Sequence, residues 1–239
     1  MQVKNVIAIF QLKKFETENK RQKDEYKLFV KLYKPNNVPS ALKLHDSELF
    51  EDESFKDNTQ KEIWKLFNTE SFQYIKGKFY DIYETKIGER LVQCSNICFL
   101  KEEIPTDEFW YKITFNKDQI SMTNGCNHFH TKYKIVNDTV SIISCGNLLL
   151  ENHSEILIDI LLQLRNIFSY SDIALDFLPE EFTVSDIATV LNAFCDKAFS
   201  KATIRRRFAD YIEKTDKEET GNQFRPSTIY KRIQAWKKV

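Results

Sequence analysis

The residues best suited to act on a partner lie in the stretch 200–212, SKATIRRRFADYI. Advancing 100° per residue from Ile204 puts Ile204, Phe208, Tyr211 and Ile212 on one side of a helix. Ala202, Arg205, Arg206 and Ala209 fall on the other. Ser200 is placed to cap its start, because a serine hydroxyl takes one of the orphan N–H groups of a first turn. An apolar back and a cationic front relieved by small residues suit the major groove of B-DNA, where arginine forks reach guanine edges or phosphates. On this reading Ala202, Thr203, Arg205 and Arg206 face bases and phosphates, while Lys201 and Arg207 flank them toward the backbone. Arg225, next to Pro226, is placed to reach a neighbouring phosphate or the minor groove.

Other reactive residue types are present without a pattern that selects them. Cys126, His128 and His130 alternate as along a strand. A zinc site needs four converging ligands, however, and no Cys-x-x-Cys pair supplies the rest. Cys94 and Cys98 sit inside an apolar run and read as core. The four histidines, His45, His128, His130 and His153, stand in no Ser-His-Asp or Cys-His set, and with only five glycines no phosphate-cradling loop can be traced. We therefore expect no metal and no cofactor.

The elements that would position the cationic helix flank it on both sides. Residues 183–194 keep helical period through Val184, Ile187, Val190, Leu191 and Phe194. Thr183 and Asp186 stand at capping-box spacing, with Asp in the Glu/Gln position. A short connection then leads to the second helix, as in a helix-turn-helix. Beyond it a polar stretch with a turn at Gly221-Asn222 precedes residues 227–233, which alternate like a strand. Two helices followed by a basic hairpin describe a winged helix.

Charge distribution agrees. The whole chain balances 35 basic against 35 acidic residues, but residues 200–239 carry eleven Lys or Arg against five Asp or Glu. That asymmetry suits a DNA-reading tail on a body with another task. No apolar run approaches a membrane span, no signal-peptide layout opens the sequence, and an odd cysteine count fits a reduced cytoplasmic protein.

The preceding part reads as mostly antiparallel strand: 6–12, 26–33, 79–83, 91–100, 109–115, 119–123, 131–136 and 140–145, with Asn137-Asp138 as a tight turn. One helix is inserted at 55–67, capped by Ser54, with Phe55, Ile63, Leu66 and Phe67 toward the core. A second, longer helix spans 154–170 with a continuous apolar stripe. Its stripe could close the first domain, dock the second or form a dimer seam.

The segments His153-Ser-Glu-Ile-Leu, Phe177-Leu-Pro-Glu-Glu-Phe-Thr-Val184, Ile204-Arg-Arg-Arg-Phe208 and Arg225-Pro226 together resemble the linker and winged helix of the NrtR-type Nudix-related transcriptional regulators of bacteria. The resemblance implies a Nudix-like first domain. Its box would place Glu53 on the first glutamate and Lys61-Glu62-Ile63 on Arg-Glu-aliphatic. Lys65 and Leu66 then replace the two adjacent glutamates that hold Mg²⁺ in the hydrolases. Ser47 and Asn68 replace the box glycines, and Thr69 the last aliphatic. In this family the Nudix-like domain senses a small molecule, ADP-ribose-related nucleotides or sugars among them.

These readings converge on an α+β protein. A degenerate Nudix-like α/β/α domain with a mixed, largely antiparallel sheet is expected over 1–150, a linker helix and connection over 151–179, and a winged helix-turn-helix over 180–239. The expected function is a bacterial, homodimeric transcriptional regulator that binds double-stranded operator DNA, with a catalytically inactive Nudix-like domain that either senses a nucleotide or sugar effector or serves only as a scaffold. The alternatives are a nucleoside-diphosphate hydrolase using relocated carboxylates such as Glu48, Glu51, Glu53 and Glu62, and a protein-interaction adaptor whose winged helix no longer touches DNA.

Overall fold

The computed structural model describes residues 2–16, 24–35, 38, 41–82, 91–116, 118–136, 139–145, 149–150, 152–195, 199–219 and 226–233. Its contacts divide the chain into two compact units, Met1–Lys13 with Leu28–Leu162, and Lys14–Lys27 with Gln163–Val239. The boundary falls inside one continuous helix.

The larger unit is built on a mixed sheet that contains nine strands among the described residues. They are β1 (Gln2–Phe15), β2 (Glu25–Lys31), β3 (His45–Glu48), β4 (Phe72–Ile82), β5 (Leu91–Leu100), β6 (Trp110–Asn116), β7 (Gln119–Thr123), β8 (His128–Val136) and β9 (Thr139–Cys145). The order is β4-β5-β1-β2-β6-β7-β8-β9, with β3 added against β1. β1 runs parallel to β5, while its pairing with β3 and those along β4-β5 and β6-β7-β8-β9 are antiparallel. A central strand covered on both faces should read as a continuous apolar run, and the run Val6 to Phe10 of β1 is fully buried.

Helix α1 (Phe55–Phe67) follows β3. Ser54 caps it by accepting from the Asp57 N–H at 3.1 Å. Ile63 enters a core cluster with Ile7, Ile9, Cys98, Leu100 and Trp110. The expected inward face needs correction: Leu66 is 36% exposed, and Asn58 and Thr59 are buried in its place. Those polar groups are tolerated because they meet partners on the sheet. Asn5 Nδ2 donates to Asn58 Oδ1 (2.8 Å) and Thr59 Oγ1 (3.0 Å), Asn96 Nδ2 donates to Asn5 Oδ1 (2.7 Å), and Tyr74 OH donates to Asn96 Oδ1 (2.6 Å). Nearby, β4 bulges between Lys76 and Phe79, and a Cβ on Gly77 would fall within 3 Å of Ser95.

Helix α2 (His153–Tyr170) buries Ile156, Leu157, Ile160, Leu161, Leu164 and Phe168, one continuous stripe at helical spacing. In the larger unit its Asp159 accepts from Tyr80 OH (2.7 Å) and Lys78 Nζ (2.9 Å). The smaller unit takes its second half, where Phe168 stacks on Phe194 with ring centroids 3.5 Å apart.

The rest of the smaller unit comprises a 3-10 turn at Ile173–Phe177, strand β10 (Glu181–Thr183), helices α3 (Val184–Asn192) and α4 (Lys201–Phe208), and strands β11 (Ile212–Glu219) and β12 (Ser227–Arg232). The strands form a sheet in the order β10-β12-β11. α3 begins with the capping box expected from Thr183 and Asp186. α4 is shorter than its sequence period suggests. It stops at Phe208, Tyr211 is 43% exposed, and Ile212 is buried as the first residue of β11. The backbone there turns to pair with β12, as the bond from Ile233 N–H to Tyr211 C=O shows (2.9 Å). The polar stretch after the helix is thus a strand rather than a connection. The turns expected at Asn137-Asp138 and Gly221-Asn222 lie outside the described residues.

Candidate nucleic-acid interface

α4 is held by its apolar side. Ile204 and Phe208 are buried, and most of the remaining helix surface is exposed. Ser200 caps it as expected: its hydroxyl accepts from the Thr203 N–H (3.1 Å) and lies 2.8 Å from the Thr203 hydroxyl. Lys201, Ala202, Arg205 and Arg206 are exposed and Thr203 is half-buried. Lys201 and Arg205 are one turn apart, as are Ala202 and Arg206, so the surface carries two adjacent rows. Five of the predicted residues, with Ser200 at their start, therefore share one surface.

Arg207 does not join them. Its guanidinium turns inward, donating to the C=O of Phe168 and to that of Ser171 (2.7 Å) while lying over the Phe208 ring. The last turn of α2 carries no basic residue of its own, and Arg207 supplies the cation that the C-terminal carbonyls attract. Burial lowers its pKa below the ordinary arginine value. Arg225 lies outside the described residues.

The other described basic residues of α4 and the wing strands divide sharply. Lys217 pairs with Glu181 (2.6 Å), Lys231 with Glu213 (3.0 Å), and Arg232 with Asp172 (2.8 Å) and Asp176. Lys201, Arg205, Arg206 and Lys214 have no ion-pair partner among the described residues. Lys214, on β11, faces the same groove as Lys201 and Arg205, and sequence reasoning missed it. It stands in a run, Glu213 to Glu219, with no apolar alternation to announce a strand, so nothing assigned its side chain a direction.

The groove measures about 440 Å³. Its walls are the start of α3 (Thr183, Val184, Ser185), the Lys201–Arg205 row of α4, and the wing strands through Lys214, Glu218 and Tyr230. Hydrogen-bond donors and positive charge dominate it, with Glu218 as an opposing carboxylate. A surface of this kind holds phosphate oxygens while an adjoining helix face is free to read base edges.

In the larger unit, α1 carries the glutamates of the box-like segment. Glu53 accepts from Asn58 Nδ2 (2.8 Å) and pairs with Lys61 (3.3 Å). Glu62 lies between His45 Nε2 (3.0 Å) and Lys65 Nζ (2.6 Å). Burial pushes the Glu62 carboxyl up, but Lys65 and His45 outweigh it and hold the group below the usual carboxylate range. A divalent ion in a box of this kind needs adjacent carboxylates. Here Lys65 occupies one of their places and bonds Glu62, and Leu66 in the other has no oxygen to offer, so the residues present do not fit a metal. Asn68 ends α1 in the left-handed conformation (φ 53°, ψ 39°), where the box carries glycine. Elsewhere His128 and His130 lie side by side on β8, exposed, with rings 6.3 Å apart, and Cys126 is exposed in the preceding loop. No group of three or more metal-ligating side chains converges among the described residues.

The smaller unit is a winged helix with an exposed cationic face on α4. Residues 174–231 match the family model of the NrtR DNA-binding winged helix domain. Three solved structures extend the likeness to the whole chain. A MutT/nudix family protein from Enterococcus faecalis is 16% identical with a TM-score of 0.69, over 97% of this chain and 88% of that one. NrtR of Shewanella oneidensis in complex with a 27mer DNA is 14% identical with a TM-score of 0.60, over 97% and 93%. A second structure of Shewanella oneidensis NrtR is 15% identical with a TM-score of 0.60, over 98% and 94%. A comparison with curated proteins gave no match. The chain thus combines a Nudix-like fold with an NrtR-type DNA-binding winged helix domain, and the resemblance seen in its sequence holds. No helix among the described residues is long and apolar enough to cross a membrane.

Proposed function

We propose that the protein is a bacterial, cytoplasmic transcriptional regulator that reads an operator with α4. The observation that carries this is the distribution of charge. Among the described residues, the basic side chains Lys217, Lys231 and Arg232 of the wing are paired within the domain, and those left over gather on α4 and the strand facing it. Ala202, Thr203, Arg205 and Arg206 contact bases and phosphates, Ser200 and Lys201 lie at the edge of the same surface, and Arg225 remains a candidate contact in the wing. The protein acts as a homodimer on a palindrome whose half-sites lie one or two helical turns apart. Its Nudix-like domain does not hydrolyse nucleotides, because lysines and His45 neutralise the glutamates that remain. It serves as a sensor or scaffold, with a nucleotide or sugar as the class of effector.

The test is fluorescence anisotropy with operators selected from random duplexes, at several salt concentrations. Wild type is compared with Arg205→Ala/Arg206→Ala. Tight, sequence-selective binding with a steep salt slope, lost in the variant, is the expected result. Weak binding that is equal for all sequences and unmoved by the variant would refute the regulator reading. Turnover of ADP-ribose with Mg²⁺, abolished by Glu62→Ala, would refute the loss of hydrolysis.

A further inference from the structure

The sheet of the larger unit leaves one side of its β6–β9 half open. Along β6 the side chains of Trp110, Lys112 and Thr114 share a face. Trp110 packs in the core cluster with Ile63 of α1, whereas Thr114 is exposed. Cross-strand pairing carries that face across the sheet. Lys112 and Thr114 stand opposite Thr123 and Ser121 of β7, and these stand opposite His128 and His130 of β8. Lys132 and Lys134 continue the β8 row, opposite Ser144 and Ser141 of β9. All four members of the β8 row are exposed, while the other side of these strands buries Ile113, Met122 and Phe129. Charge on the open face has one sign. Residues 200–239 take a surplus of six basic residues from a balanced chain, so the rest is net acidic by six, yet β6, β7, β8 and β9 contain no Asp or Glu. Lys4, Lys65 and Lys78 of this unit are paired with Asp46, Glu62 and Asp159. Lys112, Lys132 and Lys134 have no ion-pair partner among the described residues.

We infer that this face binds a short stretch of single-stranded nucleic acid, with bases stacked on the rings of His128 and His130 and phosphates held by Lys112, Lys132 and Lys134. The inference is independent of the operator reading, which concerns the other unit. Exposed rings beside unpaired cations are what such a ligand needs, because every base has a π-face and every nucleotide brings one negative charge. Spacing selects a single strand over a duplex. The two imidazole centroids lie 6.3 Å apart. Stacked bases in a duplex follow one another at about 3.4 Å, so bases seated on the two rings are splayed. The β8 row from His128 to Lys134 is about 20 Å long, at about 6.8 Å per outward position, and offers places for about four nucleotides. Hydroxyls of β7 and β9 flank the row and can bond base edges or sugar oxygens. An acidic peptide would use the lysines and leave the rings without a role.

The experiment uses the full chain carrying Arg205→Ala/Arg206→Ala, which removes the contribution of α4, and short fluorescein-labelled oligo-dT and oligo-rU strands. Anisotropy compares this host with the same protein further carrying Lys132→Gln/Lys134→Gln, His128→Ala/His130→Ala or His128→Phe/His130→Phe, each checked for an unchanged melting profile. The host is expected to bind the single strands and to bind a duplex of equal length more weakly. Lys132→Gln/Lys134→Gln should lower the salt slope by about 1.4, the share of two phosphate contacts on a single strand. His128→Ala/His130→Ala should weaken binding about 25-fold, at about fivefold for each stacked base lost. His128→Phe/His130→Phe should restore it, because a phenyl ring offers the same stacking without charge or hydrogen bond. The absence of single-strand binding, affinity unchanged in every variant, or equal affinity for the duplex would overturn the inference. Displacement of the strand by poly-glutamate at equal charge, with both histidine variants binding like the host, would assign the face to an acidic protein partner and overturn it as well.

Discussion

Replacing Arg207 by alanine distinguishes a DNA contact from a structural one within a run of three consecutive arginines. The guanidinium donates to two carbonyls at the end of α2. A hydrogen bond from a charged donor contributes about 1.5–3 kcal/mol. Burial of the guanidinium offsets part of that, and the side chain is partly open to solvent, so about 2 kcal/mol is the expected loss. For a unit of roughly 90 residues, 1 kcal/mol moves the melting temperature by about 4–8 °C, which makes the shift about 8–16 °C. Calorimetry of the full chain should show it in the transition of the C-terminal unit. Anisotropy well below that transition should show an operator salt slope equal to wild type, because no phosphate contact is removed. Arg206→Ala should do the reverse, lowering the slope by about 0.9 for each protomer engaged, with little effect on melting. An Arg207→Ala protein that melts like wild type and loses one unit of slope would place Arg207 on DNA and refute the reasoning.

Three further outcomes are expected. Gly77→Ala should destabilise the larger unit by about 2–3 kcal/mol, since its new Cβ would meet Ser95 backbone that the bulge cannot move, and a urea titration measures it. Asn5→Ala should cost about 2–4 kcal/mol by leaving Asn96 Nδ2 in the core with only the weak acceptor Cys94 Sγ (3.7 Å), whereas an equal cost for Lys4→Ala would argue against that cause. Lys65→Glu/Leu66→Glu restores two adjacent carboxylates, so 10 mM Mg²⁺ should stabilise it by about 1.4 kcal/mol if it binds with a Kd near 1 mM. Wild type should melt at the same temperature with and without the ion.

Much of this was legible before any coordinates. Capping residues gave the helix starts: Ser54, Thr183 and Ser200 each accept the bond that their position implied. β5 and β7 matched their expected limits because alternation or an unbroken apolar run marked both ends. The losses share a cause. β3 (His-Asp-Ser-Glu) and β11 (Ile-Glu-Lys-Thr-Asp-Lys-Glu-Glu) form through backbone pairing with neighbours, and their side chains carry no period. α4 was overextended because Tyr211 and Ile212 continue its apolar side in helical phase, although a strand claims Ile212. Spacing set Arg207 apart from Arg205 and Arg206 only as a flank toward the DNA backbone, since tertiary packing alone turns its guanidinium toward the end of α2. Nor could the buried amides of Asn5 and Asn96 be told from surface residues, because their partners lie 53 and 91 positions away.

The internal pairing of the wing cations bears on how such a protein would find its target. Among the described residues of α4 and the wing, four basic side chains are unpaired, and for one protomer engaged alone, each displacing one counterion, they give a salt slope of about −3.6, so doubling the salt weakens that single-protomer hold on arbitrary DNA about twelvefold. A grip of that size is light. The molecule would leave unrelated sequence quickly and sample the chromosome by many short encounters rather than by long tracking along the duplex. Because little of the population would be sequestered on bulk DNA, occupancy of the operator would follow the number of copies in the cell closely. A control circuit built on such a protein would be set mainly by its abundance and by its discrimination between sites.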